Sequence, residues 1–313
     1  MLKYFAYAAA FKAFSCGAPM RRLYRKLGNH FGAKKRVRGD IPEFYLDRIK
    51  NALDLASRYG IVENGGRILE VGTGWLHWEA ITLSLFFDVQ AVLFDVWDNR
   101  QLPAFKHHLR QFQQKLDRVF PELSIELRVR AHERINRALG CKTFEELYSA
   151  FGFKYVVESS GSLASLADES FDLVVSAGVL EHIEDGIIAP LIHDTYRVLK
   201  PGGWALHNID MNDHLSYYDL RMHEKHYISC PERIWKLVCE NKVQYINRLQ
   251  RSQWLDIFRS SGFNVVTQID IPIKDSRLTA AEKFKKMSAE DLTCAQVTVL
   301  LRKPGTAVTH AIG

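Results

Sequence analysis

The sequence predicts an α/β fold in which parallel strands alternate with helices around a buried sheet. The first observation is an apolar run at 67–71 that meets glycines at positions 72 and 74 and is followed by a segment of helical length. The second is that this order repeats, because further short apolar runs alternate with helical patterns as far as residue 210. Strands that alternate with helices are typical of βαβ units, whose strands lie parallel in one sheet.

The length and composition fit a folded chain with a substantial core. At 313 residues, the chain can form one large α/β domain with additions or two small domains. It is 47% hydrophobic and 25% charged, which argues against extensive disorder. The five cysteines are scattered without a CxxC pair. This usage argues against a disulfide framework and a zinc site, and it favours the reducing cytoplasm.

The positive charge is concentrated at the N-terminus. Residues 1–39 carry ten Lys/Arg and no Asp/Glu, which leaves 32 basic against 36 acidic side chains for the rest of the chain. A mildly acidic body does not suggest a nucleic-acid groove. We expect 1–39 to be a basic arm that either packs on the main domain as a helical extension or makes a peripheral membrane contact. No run is long enough to cross a bilayer, so the expected location is the cytoplasm, with peripheral membrane association as an addition.

The apolar pattern predicts the elements around the first turn. Apolar residues recur at helical spacing between 45 and 56 and predict a helix that covers the sheet before the first strand. After the two glycines a helix is expected at 76–87, and the second strand at 90–95. The segment 99–153 is too long for a simple connection and is predicted to be an insertion, with helices at 102–120 and 132–153.

The remaining elements continue the alternation. Short apolar runs predict the third, fourth and fifth strands at 155–157, 173–177 and 204–210. The helix between the last two must end at Lys200-Pro-Gly-Gly203, where proline and glycines reverse the chain. A second insertion at 211–252 follows, and the chain then contains a helix at 253–262, strands at 263–271 and 295–301, and a flexible tail at 304–313.

Residues at the ends of the first two strands can bind a nucleoside. Gly72 and Gly74 lack a Cβ, so their backbone can take positive φ and approach a ligand closely. Asp95 ends the second strand, where a carboxylate can accept hydrogen bonds from both hydroxyls of a ribose. It could also cap a turn, as an ordinary strand-end aspartate does. Val96 follows in a position to lie against an adenine face.

Three motifs in this order resemble the class I S-adenosylmethionine-dependent methyltransferases. They are Leu69-Glu-Val-Gly-Thr-Gly74, Ser170-Phe-Asp-Leu-Val-Val-Ser176 followed by Val179-Leu-Glu-His182, and Arg197-Val-Leu-Lys-Pro-Gly-Gly203. The resemblance implies a Rossmann-like α/β fold with a seven-stranded, mostly parallel sheet in the order 3-2-1-4-5-7-6, the last strand antiparallel and helices on both faces. It implies a methyltransferase domain at 40–303 with helical insertions at 99–153 and 211–252, and a ligand at the carboxyl ends of the strands.

The resemblance also implies S-adenosylmethionine as the cofactor. The residues that it assigns to cofactor binding are Glu70, Gly72, Thr73, Gly74, Asp95, Val96, Ser162, Leu163, Ala177 and Gly178. In this family Glu70 would orient the turn and the amino group of the cofactor, and Asp95 would hold the ribose hydroxyls. The family's frequent third glycine is replaced by Trp75, whose ring could cover the sulfonium or pack under the loop. Trp75 also argues against a nicotinamide-dependent oxidoreductase, whose fingerprint needs a third glycine.

Polar residues beyond the fourth and fifth strands are the candidate catalytic residues. Methyl transfer to a hydroxyl benefits from a base, and His182 has a suitable pKa range; it could instead contact the cofactor or cap the next helix. The Glu181-His182 pair is similar to that of quinone-biosynthesis O-methyltransferases. Asp210 and His214, with Asp213, could supply a base, hold a divalent ion or be polar residues of the rim. The expectation is that the site contains no metal.

The resulting hypothesis is a methyltransferase that acts on a hydroxyl of a small molecule, a sugar or glycan, or a lipid-linked precursor. Asp213-His-Leu-Ser-Tyr217 and Asn247-Arg-Leu249 resemble methyltransferases of bacterial surface-polysaccharide clusters, which favours sugar hydroxyls. One alternative is a non-catalytic subunit of the same fold that binds a partner through its basic arm. The other is a nicotinamide-dependent oxidoreductase.

Overall fold

A computed structural model describes residues 2–275 and 277–305. These residues form a seven-stranded sheet in the order β3-β2-β1-β4-β5-β7-β6. Only the pairings of β7 are antiparallel. The strands are β1 (Gly66–Val71), β2 (Val89–Asp95), β3 (Phe153–Val157), β4 (Phe171–Ala177), β5 (Leu199–Asp210), β6 (Asn264–Pro272) and β7 (Cys294–Arg302). The predicted fold class and strand order are therefore confirmed.

The strand register brings the motif-bearing turns to one edge of the sheet. Glu70 of β1 pairs with Leu93 of β2 on one side and with Val175 of β4 on the other. Ala177 at the end of β4 pairs with Asn208 of β5. Because these four strands are parallel, the residues that follow them emerge side by side. We call this the ligand edge: the carboxyl ends of β1, β2, β4 and β5 and the turns after them.

Helices cover both faces of the sheet. The core on one face contains buried side chains of α3 (Glu43–Tyr59), α4 (Trp78–Phe86), α5 (Leu102–Val119), α6 (Ile125–Gly140) and α7 (Phe144–Phe151). The core on the other face contains those of α8 (Asp185–Val198) and α10 (Arg251–Ser260). These two apolar layers hold the central strands rigidly, so the ligand edge rests on the most buried part of the molecule.

The two insertions differ from their predicted form. The helix predicted at 132–153 is two helices, α6 and α7, because Thr143 starts a new helix: its Oγ1 accepts a hydrogen bond from Glu146 N at 3.1 Å. The second insertion contains only short helical pieces: His214–Tyr218, His226–Ser229, α9 (Glu232–Ile234) and Trp235–Cys239. Its backbone is satisfied by side chains such as Asn241, whose Oδ1 accepts from Val243 N and Gln244 N.

The N-terminal arm forms two helices, α1 (Leu2–Phe14) and α2 (Ala18–Arg36). α1 packs on the second insertion and forms a third core with it, in which Tyr4, Ala8 and Phe11 are buried. Lys12 Nζ fixes the end of α1 by donating to the carbonyls of Lys236 and Glu240 at 2.7 and 2.9 Å. α11 (Ala289–Thr293) precedes β7. No helix within the described residues is long and apolar enough to span a membrane. The predicted tail at 304–313 lies outside the described residues from 306 onwards.

Candidate functional site

The glycine turn after β1 is held between β2 and the segment that follows β4. Gly72 and Gly74 have φ of 75° and 57°, a region in which side chains with a Cβ are strained. Gly72 N donates to Phe94 O at 2.8 Å, which fixes the turn to β2. A Cβ on Gly72 would lie 2.3 Å from Cγ2 of Val179, whereas a Cβ on Gly74 would meet no atom within 4 Å. There is therefore no space for a side chain between Gly72 and the segment after β4, whereas the space next to Gly74 is empty.

Asp95 is buried at the end of β2 and binds the same turn. Its Oδ2 accepts from Gly74 N at 2.8 Å, and its Oδ1 accepts from Val96 N at 2.7 Å. Burial raises the pKa of this carboxyl, although the backbone N–H donors act in the opposite direction. An ionised carboxylate has about four acceptor positions, so Asp95 can hold the turn and still accept a ligand hydroxyl.

Three buried polar atoms of the first turn lack hydrogen-bond partners among the residues that the structure describes. They are Glu70 Oε1, Thr73 Oγ1 and Trp75 Nε1. The other carboxylate oxygen of Glu70 accepts from Ala80 N at 2.7 Å, at the start of α4. Buried polar groups are normally paired, so unpartnered atoms on three nearby positions of the chain fit a site that a polar ligand completes. Together with the open space above Gly74, these atoms fit the amino-acid part of S-adenosylmethionine.

The segment after β3 lies beside the predicted adenine position. A Cβ on Gly161 would lie 3.5 Å from Cγ1 of Val96, which places this segment against that residue. Ser162 is exposed there, and its Oγ accepts from Ala164 N at 3.2 Å. Leu163 is different: it is wholly buried in the core with Phe94 and Phe171. The side chain of Leu163 therefore belongs to the core, so the predicted cofactor contact at this position would have to come from its backbone.

Two tryptophans of the ligand edge lie under arginines of α2. The guanidinium carbon of Arg36 lies 3.2 Å from the centroid of the Trp75 ring, and that of Arg25 lies 3.9 Å from the Trp97 ring. Arg36 also donates to Gln101 Oε1 at 3.1 Å. These cation–π contacts fix α2 across the turns after β1 and β2. In the structure, Trp75 therefore serves as a contact for the N-terminal helix.

The three predicted catalytic residues lie together at the ends of β4 and β5. The rings of His182 and His214 have centroids 4.8 Å apart, and His214 Nε2 lies 3.5 Å from Asp210 Oδ2. Glu181 joins them, since its Oε1 accepts from Asp210 N at 3.3 Å. We call Glu181, His182, Asp210 and His214 the polar cluster. It is next to the glycine turn along the ligand edge, because Val179 contacts Gly72 and Glu181 follows two residues later.

The electrostatics distinguish the two histidines. Burial, followed by the nearby His214, lowers the pKa of His182 to about 4. Burial also acts to lower the pKa of His214, but the hydrogen bond and charge of Asp210 outweigh it, so the net pKa is raised. Burial and the charge of Asp210 raise the pKa of Glu181 to about 8. His182 therefore remains neutral at ordinary pH, whereas His214 with Asp210 has the greater affinity for a proton.

Residues to which the sequence assigned no catalytic role fix the geometry of the polar cluster. Because Tyr245 O is an acceptor 2.7 Å from His182 Nδ1, this nitrogen carries the proton and Nε2 keeps its lone pair. Asn247 Nδ2 donates to Leu180 O at 2.8 Å and fixes the short turn that carries His182. Tyr217 OH donates to Asp210 Oδ2 at 2.6 Å. A spacing pattern cannot indicate these partners, because the second insertion folds back over β4 only in the tertiary structure.

One set of side chains in the polar cluster has donor types that suit a metal. Donor atoms of Glu181, His182 and His214 lie within 4.8 Å of one another, and two imidazoles with a carboxylate suit a divalent transition ion. Asp213, which the sequence grouped with Asp210 and His214, has another role. Its Oδ2 accepts from Tyr4 OH at 2.7 Å and its Oδ1 from Leu215 N at 3.0 Å, so it fixes α1 to the second insertion.

A largely apolar cavity lies between α3, α4 and the central strands. Its volume is about 30 Å³, which leaves room for about one or two water molecules. Its wall includes Val175 and Ala177 of β4 and Leu206 and Asn208 of β5. Side chains two residues apart in a strand lie on the same face, so Asp210 follows Leu206 and Asn208 on the cavity side of β5. The cavity therefore leads towards the polar cluster.

Comparison with known proteins gives a family match over most of the chain. Residues 33–268 match the sequence model of a family described as "Methyltransferase domain". A search of curated proteins finds no significant match. Among solved structures, an S-adenosylmethionine-dependent methyltransferase from Methanosarcina mazei is 15% identical, with 79% of this chain and 96% of that chain covered and a TM-score of 0.44. A 1,6-didemethyltoxoflavin-N1-methyltransferase from Burkholderia thailandensis is 12% identical, with 91% and 87% covered and a TM-score of 0.49.

Proposed function

Because this chain belongs to the S-adenosylmethionine-dependent methyltransferases of class I, we propose that it methylates a hydroxyl oxygen of a small-molecule, glycan or lipid-linked acceptor. The observation that carries the proposal is the polar cluster beside the glycine turn. A methyltransferase that acts on oxygen gains from a group that takes the hydroxyl proton. His214 with Asp210 offers such a group at the ligand edge.

Some of the proposed cofactor-binding residues hold the glycine turn after β1, and others have groups that can contact the cofactor. Asp95 orients the turn through Gly74 N and retains acceptor capacity for the ribose hydroxyls. The unpartnered oxygen of Glu70 would accept from the amino group of the cofactor. Gly74, Ala177 and Gly178 present backbone without bulky side chains at the end of the sheet. The bound donor supplies a methyl carbon that its sulfonium already activates.

The polar cluster prepares the acceptor for attack on that carbon. His182 is neutral with a free Nε2, so it can accept a hydrogen bond from the acceptor hydroxyl and orient its oxygen. His214 then takes the proton, and Asp210 stabilises the imidazolium that forms. A donor held by Glu70, Gly74 and Asp95 would supply its methyl group to that oxygen, with the electron pair of the broken carbon–sulfur bond remaining on sulfur. Alignment and exclusion of water supply most of the remaining rate enhancement.

The residues that line the cavity between α3 and the sheet are the proposed wall of the acceptor site. This mainly apolar wall suits an aromatic or lipid-linked acceptor that presents one hydroxyl to the polar cluster. This favours such acceptors over a fully hydrated sugar, which would leave its hydroxyls without partners. A sugar at the end of a lipid carrier would agree with both this wall and the resemblance to polysaccharide methyltransferases.

Incubation of the pure protein with isotopically methyl-labelled S-adenosylmethionine and a cell extract tests the proposal. Mass spectrometry should identify a product with one transferred methyl on oxygen, and the His214→Asn protein should not form it. A methyl on nitrogen or carbon would refute O-methylation. Binding of S-adenosylhomocysteine without transfer to any fraction would favour the alternative, a non-catalytic subunit.

A further inference from the structure

The outer face of α2 exposes large apolar side chains that the fold does not use. Leu23, Leu27 and Phe31 are 45%, 39% and 64% exposed. They are spaced four residues apart and therefore form one stripe along the helix. Single exposed apolar residues are common on soluble proteins, but a continuous stripe of three on one helix marks an interaction surface.

Basic side chains border this stripe. The exposed Lys/Arg residues of the helix and of the turn after it are Arg22, Lys26, Lys34, Lys35 and Arg38. On a helix with 100° per residue, Arg22 and Lys26 lie on one side of the stripe, Lys35 lies on the other, and Lys34 and Arg38 extend it. No Asp or Glu occurs anywhere in residues 1–39. The surface therefore combines an apolar centre with positive borders.

The rest of α2 already has its own partners. Arg25 and Arg36, on the inner face opposite the stripe, lie on the two tryptophans of the ligand edge. Tyr24 lies at the edge of the stripe beside Phe31, and its OH accepts from Gln244 Nε2 at 2.9 Å. Packing on the domain therefore accounts for one side of the helix only. A helix with one apolar–basic face directed outward has the pattern of an interfacial membrane helix.

We propose that the outer face of α2 docks on an anionic lipid bilayer. Leu23, Leu27 and Phe31 enter the boundary between headgroups and acyl chains, and the bordering Lys/Arg side chains contact lipid phosphates. The charge decides between the candidate occupants: an anionic surface is complementary to this face, whereas a second copy of the chain would bring two positive faces together.

Docking in this orientation places the ligand edge next to the membrane. α2 contacts the turns after β1 and β2 on its inner side and lipid on its outer side. An acceptor carried in the bilayer would then lie close to the ligand edge. This consequence rests on the proposed function, whereas the docking itself does not.

Co-sedimentation with vesicles tests the docking. The full chain is mixed with vesicles of phosphatidylcholine alone or with about 30% phosphatidylglycerol. The wild type should bind the anionic vesicles and lose binding as salt increases. The triple variant Leu23→Gln/Leu27→Gln/Phe31→Gln should bind them more than tenfold more weakly. The matched control Ile125→Gln/Val129→Gln removes residues that are 76% and 51% exposed on α6, and it should bind as the wild type does.

Three outcomes would overturn the proposal. The wild type could fail to bind anionic vesicles, the triple variant could bind like the wild type, or both variants could lose binding equally. Sedimentation equilibrium tests whether a second copy of the chain occupies this face instead. A dimer that only the triple variant abolishes would assign the face to a second copy. Calorimetric titration with S-adenosylhomocysteine, performed on each protein, separates misfolding from loss of docking. It also separates failure of this proposal from failure of the proposed function.

Discussion

The carboxylate of Asp210 lies 3.5 Å from Nε2 of His214, and the two side chains extend from the end of β5 beside the turn that carries His182. The pair is only partly exposed, and the pKa of His214 is raised because the hydrogen bond and charge of Asp210 outweigh the effect of burial. A buried histidine stabilised in its protonated form is suited to take a proton from an acceptor hydroxyl.

This pair gives the pH dependence of turnover a defined sign. A base must be unprotonated, so kcat should rise with pH through the raised pKa of His214. Asp210→Asn removes the group that raises this pKa and leaves burial, which lowers it. The acid limb of the kcat profile should therefore move to lower pH, while kcat falls by about 10²–10³. An acid limb at the wild-type position would contradict the assignment of His214 as the base. His193→Asn, on the exposed side of α8, is the control variant.

Chelation distinguishes a base from a metal ligand at the same residues. If His214 acts as a base, EDTA should leave kcat unchanged, and added Zn²⁺ should inhibit by occupying the donors of Glu181, His182 and His214. Steady-state assays with and without chelator make the comparison. Activity that EDTA abolishes and a divalent ion restores would show that the histidines hold a metal.

Gly72→Ala should destabilise the fold more than Gly74→Ala does. Both residues have positive φ, which costs an alanine about 1–2 kcal/mol. Only at position 72 would the new Cβ also overlap with Val179, at a further cost of about 1–3 kcal/mol. Urea denaturation measures both variants. Val179→Ala in the Gly72→Ala background should recover the overlap part, and equal losses at the two glycines would refute the closed-turn geometry.

His77 should make stability fall on acidification. Burial, with the charge of Arg100, lowers its pKa to about 3 from the ordinary 6.5. Below pH 6.5, His77 binds a proton in the unfolded chain but stays neutral in the folded protein. The free energy of unfolding should therefore fall by about 1.4 kcal/mol per pH unit between these two values from this residue alone.

His77→Asn is the matched variant for that prediction, because His77 has φ of 50° and asparagine tolerates this conformation. The variant loses the contact between His77 Nε2 and Tyr148 OH, so its stability is lower near neutral pH. Its stability should nevertheless fall less steeply on acidification, as measured by urea denaturation at several pH values. Parallel curves for the two proteins would show that His77 is not the cause.

The features that depend on local pattern could be predicted from the sequence. Alternating apolar runs and glycine turns indicated the strands. The position of Asp95 at the ligand edge could also be predicted, because Asp95 is the last residue of its strand. The positions of Gly72 and Gly74 follow from the same logic, since a tight turn into a helix needs positive φ. The strand order came from the family resemblance, because local patterns do not determine which strands pair.

The features that depend on tertiary packing could not be predicted. Leu163 has the same apolar character whether it lines a ligand site or joins the core. Only the packed structure shows that its side chain lies in the core. Asp213 and Tyr4 are 209 positions apart, so no spacing rule suggests their hydrogen bond. The exposed stripe on α2 also emerges only when Arg25 and Arg36 are seen to occupy the inner face.

The central claim is that Asp95 and the glycine turn hold the adenosyl group of the donor at the ligand edge. Calorimetric titration of wild type and Asp95→Ala with S-adenosylhomocysteine, and with its analogue lacking both ribose hydroxyls, tests it most directly. We predict that Asp95→Ala weakens S-adenosylhomocysteine binding by more than tenfold, about 1.4 kcal/mol or more, and weakens binding of the analogue by a smaller factor, because the analogue loses only the turn that Asp95 holds. An equal loss for both ligands, or no loss for either, would contradict the account.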